Sequence, residues 1–87
     1  MGPYSSTYIS TATTTTCKSG RGVLRKILIT ETAAGAITIY DNTAASGTVL
    51  AAFKASVAEG EYEFNVRFGT GLTIVTAGAS KVTAIWE

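Results

Sequence analysis

Short runs that alternate hydrophobic and polar residues follow one another along the chain, separated by turn segments. The pattern is clearest from Gly35 to Phe53, where residues 36–40 alternate, residues 41–47 have turn composition, and residues 48–53 are apolar. Two apolar runs joined by turn residues predict an antiparallel β-hairpin, with a connection too long for a two-residue turn. We expect the other strands to pack on this hairpin.

Residues 61–68 alternate most regularly. The large apolar side chains occupy every second position, and they are Tyr62, Phe64, Val66 and Phe68. The intervening positions are polar, which predicts a strand with one face on the core and the other in water. We expect the three aromatic rings to form a main part of the core.

Four more strands are predicted around these elements. They are an edge strand at 11–17, a strand at 23–32, a central strand at 72–77 and a last strand at 81–86. The alternation in 23–32 is irregular, which indicates either a bulge near Arg25 and Lys26 or burial on both faces. Turn signals every 8–12 residues or so are typical of antiparallel sandwiches and barrels. The sequence therefore predicts an all-β fold, a small antiparallel β-sandwich or barrel of about seven strands.

The N-terminal segment differs from the rest because residues 1–16 carry no charge and are rich in serine and threonine. We interpret 1–16 as an extended N-terminal arm or edge strand, and 17–87 as a single β domain. The larger side chains of the N-terminal segment are predicted to contact a neighbouring molecule that orders the arm. They are Tyr4, Tyr8 and Ile9. A frayed terminus is the alternative.

The composition favours association with other proteins. Charged residues make up 15% of the chain and hydrophobic residues 46%, whereas an ordinary soluble domain has about 25% charged residues. A surface with so few charges suits burial in a protein–protein interface, so we expect a homo-oligomer. A neutral monomer is the alternative.

The charge is unevenly distributed along the chain, although its net value is only +1. All the charged residues before Glu31 are basic, namely Lys18, Arg21, Arg25 and Lys26. We predict that this basic stretch contacts an acidic partner or a neighbouring copy; solvated strand ends are the alternative. The low net charge argues against a nucleic-acid partner.

The residues needed for catalysis and for tight metal binding are scarce. The chain has no histidine and a single cysteine, Cys17, which excludes His-based acid–base catalysis, the usual zinc sites and an internal disulfide. Asp41 and Asn42 would suit a Ca²⁺ loop, but such residues more often bond to their own turn backbone. We therefore predict no enzymatic activity, no cofactor and no metal.

Membrane and export signals are also missing. No apolar run approaches the ~20 residues that span a bilayer, so no membrane association is expected. Residues 1–16 lack the basic start and apolar segment of a signal peptide, which predicts assembly in a cytoplasm.

Residues 22–86 contain a set of short motifs that includes IYDNT, SGT and GLTIVT. The residues in the set are Gly22-Val23-Leu24, Ile27, Ile29, Ile37 to Thr43, Ser46-Gly47-Thr48, Phe68, Gly71 to Thr76 and Val82-Thr83. Through this set the chain resembles short virion proteins of tailed bacteriophages, described as head decoration, cement or head-fibre proteins. The resemblance implies a β-rich fold, no enzymatic role, many copies per particle and a location in the virion.

From this resemblance we predict a capsid decoration protein that binds the major capsid protein on the outside of the head, with a trimer favoured. The arm and the basic stretch would supply its contacts. The alternatives are a head–tail or tail-tube component, or a tail or fibre module that binds a receptor or carbohydrate. That module would use Asp41, Asn42 and Thr70 as polar contacts and Trp86 as a stacking ring.

Overall fold

A computed structural model of the protein describes residues 5–87. This part of the chain forms eight strands and no helix. In chain order they are β1 (Ser5–Ile9), β2 (Thr13–Ser19), β3 (Gly22–Glu31), β4 (Ile37–Asp41), β5 (Thr48–Phe53), β6 (Gly60–Phe68), β7 (Gly71–Thr76) and β8 (Lys81–Trp86).

The strands form two four-stranded antiparallel sheets that pack as a sandwich. Sheet A has the order β1-β8-β3-β6, and sheet B has the order β2-β7-β4-β5. The predicted hairpin is confirmed as β4 and β5, which pair from Ile37↔Phe53 to Asp41↔Thr48. The prediction of a central strand at 72–77 is also confirmed, because β7 lies between β2 and β4.

The N-terminal segment forms a strand where the sequence predicts an arm. Strand β1 pairs with β8 from Ser5↔Trp86 to Ile9↔Val82, which gives eight strands rather than seven. The physical reason is that Ile9 completes the core while serine and threonine extend readily. Strand β2 runs across the predicted boundary at residue 16, and residues 1–4, including Tyr4, lie outside the described residues.

The core lies between the sheets and consists mainly of β-branched and leucine side chains. Its buried members are Ile9, Leu24, Ile27, Ile29, Ile37, Ile39, Phe68, Leu72, Ile74, Val82 and Ala84. The predicted inward face of β6 is confirmed, but only Phe68 of its three aromatic residues is fully buried. Tyr62 and Phe64 instead pack edge-on against Phe53, with ring centroids 5.0 and 5.8 Å away. These rings close the sandwich where edge strands β5 and β6 meet.

Of the two explanations for the irregular alternation in β3, the structure shows the bulge. The register of β3 shifts between Leu24 and Lys26 against both β6 and β8, so Arg25 lies at the irregular position. The extra residue resets the alternation, which is why Leu24 and Ile27 are both buried although they differ in parity.

Candidate interaction surfaces

The outer face of sheet A is charged. Residues that alternate with its buried side chains point outward, and the charged ones among them are Lys26, Glu61, Glu63, Arg67 and Lys81. Two ion pairs cross this sheet, Lys26 with Glu61 at 3.2 Å and Lys81 with Glu31 at 3.5 Å. The charges of this face are therefore partly balanced within the molecule.

Among residues 5–87, none that lies on the outer face of sheet B is charged. Its side chains form two rows across the four strands, because Thr38 and Tyr40 point away from buried Ile37 and Ile39. The first row is Thr14, Val75, Thr38 and Ala52, and the second is Thr16, Thr73, Tyr40 and Val49. We call these eight residues the uncharged face.

The two charged residues on the strands of sheet B point elsewhere. Lys18 places its Nζ 5.8 Å from the ring centroid of Trp86 in sheet A. The Asp41 carboxylate accepts hydrogen bonds from the backbone N–H groups of Gly69 and Thr70, at distances of 2.8–3.0 Å. Neither residue places a charge among the two rows.

One corner of the uncharged face is covered by the loop between β4 and β5. The Thr73 hydroxyl donates to the Asn42 carbonyl at 2.7 Å, and the Thr16 hydroxyl donates to the Thr43 carbonyl at 3.3 Å. Thr73 is consequently fully buried, whereas Val49 remains 50% exposed. The open part of the face is the first row together with Tyr40 and Val49.

The predicted contacts of the N-terminal segment divide between the two sides of β1. Tyr8 points outward and is 59% exposed. Ile9 is only 3% exposed because it packs in the core, so it has no surface left for a partner. This placement corrects the interpretation of Ile9, while Tyr8 stays a predicted contact and Tyr4 lies outside the described residues.

The predicted basic stretch is divided by the fold. Lys18 and Arg21 lie at the end of the sandwich where β2 turns into β3. Arg25 forms an ion pair with Glu87 and donates to Asn65 at 3.1 Å, and Lys26 pairs with Glu61. Arg67, which we did not predict as a contact from the sequence, lies opposite Val23 at the same end because β6 pairs with β3. Only this long-range pairing reveals it.

The residues proposed for a loop-based binding site make internal contacts. The Asn42 amide donates to the Ser46 carbonyl at 2.9 Å, and the Trp86 indole donates to the Thr7 hydroxyl at 3.2 Å. The Asp41 carboxylate caps the turn at 69–71. The side chains of Asp41, Asn42 and Trp86 therefore stabilise loops and strand pairing.

Residues 5–87 show neither a metal-binding cluster nor a membrane-spanning helix. Among residues 5–87, no group of three His, Cys, Asp or Glu side chains is arranged to hold a metal ion. The same residues include no helix that is long and apolar enough to cross a membrane. Cys17 is half-buried against the core, and burial raises the pKa of its thiol, although a hydrogen bond with Thr7 opposes the shift.

Comparison with known proteins identifies the fold. No protein-family model and no curated protein matches the chain. Among solved structures, the Drosophila NLP-core, described in terms of pentamer formation and histone binding, aligns with a TM-score of 0.61 at 12% identity. The alignment covers 99% of this chain and 97% of that one. The two proteins share a fold over nearly their whole length.

This finding contradicts the prediction of a phage capsid decoration protein, because the similar structure belongs to a histone-binding pentamer. The predicted trimer bound to a major capsid protein is wrong for the same reason. The motif set alone produced that prediction, and its pieces, such as IYDNT, combine strand residues with turn residues that are general signals of a β-hairpin. The resemblance to virion proteins stays a prediction.

Proposed function

We propose that the protein is a non-catalytic, self-assembling β-sandwich whose copies associate through the uncharged face. The observation behind the proposal is the contrast between the two sheets: sheet A has an ion-paired outer face, and sheet B has eight uncharged residues in two rows. A face without charges can be buried without desolvating an ion, which is the main cost of burying a charged surface.

The residue types of the face favour its burial. Threonine, valine and alanine lose little side-chain entropy when they are ordered, and Tyr40 offers a larger contact area near the centre. Val49 is a large hydrophobic side chain that is half exposed in the isolated chain. Association would remove it from water.

The number of copies in this proposal is five, arranged in a closed ring. Support comes from the Drosophila NLP-core, which has the same fold and is described as forming pentamers. A ring requires a head-to-tail contact, in which the uncharged face of one copy meets a different surface of the next.

The histone binding described for that neighbour does not form part of the proposal. The chain has seven basic and six acidic residues, so it has no excess of negative charge to attract a basic partner. Three acidic residues are also engaged by cations within the molecule, namely Glu31, Glu61 and Glu87.

The proposal is tested by placing one charge on each outer face and measuring the solution mass by light scattering. Thr38→Glu puts a carboxylate in the first row of the uncharged face. Thr83→Glu is the matched control, because both threonines are half-buried, outward-facing residues on inner strands. We expect Thr38→Glu to dissociate the assembly into folded monomers, since burying an unpaired charge costs several kcal/mol. Thr83→Glu should leave the mass unchanged.

Circular dichroism of both variants establishes that each is folded, so a loss of mass reports association and not unfolding. An assembly that survives Thr38→Glu, or one that only Thr83→Glu dissociates, would overturn the proposed interface.

A further inference from the structure

A cleft of about 550 Å³ opens at the end of the sandwich where the β2–β3 turn, the β6–β7 turn and Glu87 meet. Its cations are Lys18, Arg21 and Arg67, and Val23 and Phe68 form part of its wall. We propose that this basic cleft binds an acidic peptide segment of a partner protein. The proposal does not depend on self-association, because none of these residues belongs to the uncharged face.

The charge of the cleft is available to a partner. No ion pair joins Lys18, Arg21 or Arg67 to another residue in the part of the chain that the structure describes, and the contact of Lys18 with the Trp86 ring does not neutralise its charge. The acidic residue in the lining, Glu87, forms an ion pair with Arg25. Asp41 lies beside the cleft, and the N–H groups of the 69–71 turn hold its carboxylate. The positive potential is therefore only partly offset.

The shape of the cleft is fixed by backbone contacts. Val23 and Glu87 exchange two backbone hydrogen bonds, at 3.0 and 2.9 Å, which hold the last residue against β3. At Gly22 a Cβ atom would collide with the Glu87 carbonyl and the Phe68 ring, so glycine permits the close approach at this wall. The cleft is thus preformed, which lowers the entropic cost of binding.

The donors around the cleft favour an extended ligand over a compact anion. Phosphate and sulfate are usually held by converging backbone N–H groups. Here the N–H of Gly20 donates to Thr70, that of Val23 donates to Glu87, and that of Gly69 donates to Asp41. The cleft also offers three long cationic side chains, Lys18, Arg21 and Arg67, which can reach several carboxylates spaced along an extended peptide.

A single-stranded nucleic acid fits the cleft less well. Binding of unpaired bases depends on exposed aromatic rings that the bases can stack on. The aromatic ring in the lining, Phe68, is only 2% exposed because it packs in the core. The exposed apolar part of the wall is Val23, which is half-buried and suits an aliphatic side chain that lies between the acidic residues of a peptide.

The test measures fluorescence anisotropy of a labelled octaglutamate peptide with the full-length protein. We expect saturable binding that weakens steeply with salt, because the contacts are between partly exposed charges. Arg67→Glu should weaken binding by about tenfold or more, since it replaces attraction with repulsion. Lys54→Glu is the matched control, because Lys54 is also exposed but lies outside the cleft, and its substitution by glutamate changes the net charge by the same amount. It should change the affinity by less than about twofold.

An octathymidine oligonucleotide and inorganic phosphate are titrated in parallel. Binding of either one with higher affinity than octaglutamate would overturn the assignment to an acidic peptide. Equal losses in Arg67→Glu and Lys54→Glu would also overturn it, because they would indicate attraction by net charge without a defined site. Repeating the titration on Thr38→Glu separates the two proposals, since peptide binding should persist in a monomer.

Discussion

Asp41 connects two loops that are far apart in the sequence. Its carboxylate accepts hydrogen bonds from the N–H groups of Gly69, Thr70 and, more weakly, Gly71. These bonds hold the pKa of Asp41 below its ordinary value of 3.8, because they favour the ionised form. The residue therefore stabilises the β6–β7 turn beside the basic cleft.

The Asp41→Asn substitution is predicted to destabilise the protein at neutral pH and progressively less in acid. Because the folded-state pKa is lowered, the ionised carboxylate contributes stability above pH 3.8, and this is lost as the pH falls through the folded-state pKa. Urea unfolding at about pH 7 and about pH 3 tests the prediction by linkage. The difference in unfolding free energy between wild type and variant should shrink at the lower pH.

Glu63→Gln is the control for this experiment, because Glu63 is an exposed residue on β6 outside the turn. It should leave the free energy of unfolding nearly unchanged at neutral pH. A wild type and an Asp41→Asn variant with equal stability at neutral pH would contradict the proposed role of Asp41.

Residue roles of this kind were only partly predictable. The sequence indicated that Asp41 and Asn42 bond to turn backbone, and Asn42 does bond within its own loop, to Thr43 and Ser46. Asp41 bonds to a different turn, 28 residues away or more. Turn composition reveals local hydrogen bonds, whereas a bond between two loops depends on strand order.

At the scale of elements, β1 shows what short strands contribute. Its five residues include one fully buried side chain, Ile9, which lies opposite Val82 of β8. Its other described residues are small or face solvent, so no hydrophobic alternation distinguishes it from an arm. Longer elements such as β6 and the β4–β5 hairpin were predictable because each repeats the apolar period several times.

If β1 is a strand of the sandwich, truncating two neighbouring side chains should change the free energy of unfolding by different amounts. Ile9→Ala should lower the free energy of unfolding by about 2–5 kcal/mol, as expected for truncation of a buried isoleucine. Tyr8→Ala removes a larger but exposed side chain and should cost less than about 1 kcal/mol, the value of a cross-strand pair. Chemical denaturation measures both. A small effect of Ile9→Ala would indicate an arm after all.

The whole molecule organises charge in a way that the linear sequence does not show. The sequence separates a basic first part from a more acidic remainder. The fold interleaves them, since Lys26 of β3 pairs with Glu61 of β6 and Arg67 joins the end that contains Lys18 and Arg21. Sheet order, which composition cannot supply, creates the charged face, the uncharged face and the basic cleft.

We expected an oligomer because the chain contains few charged residues. The structure shows which surface lacks charged side chains. Sheet B leaves two rows of uncharged side chains facing outward, while sheet A balances part of its charge through two ion pairs. The radius of gyration is 11.6 Å, as expected for a small domain with a large share of its residues near the surface. Association through one sheet would increase the buried fraction.

The solution mass of the wild-type protein, measured by native mass spectrometry at micromolar concentration, is the decisive test of self-association. We expect a species of about 45 kDa, five copies of the 9.0 kDa chain in a closed ring. A folded protein that stays at 9.0 kDa as the concentration is raised would contradict it.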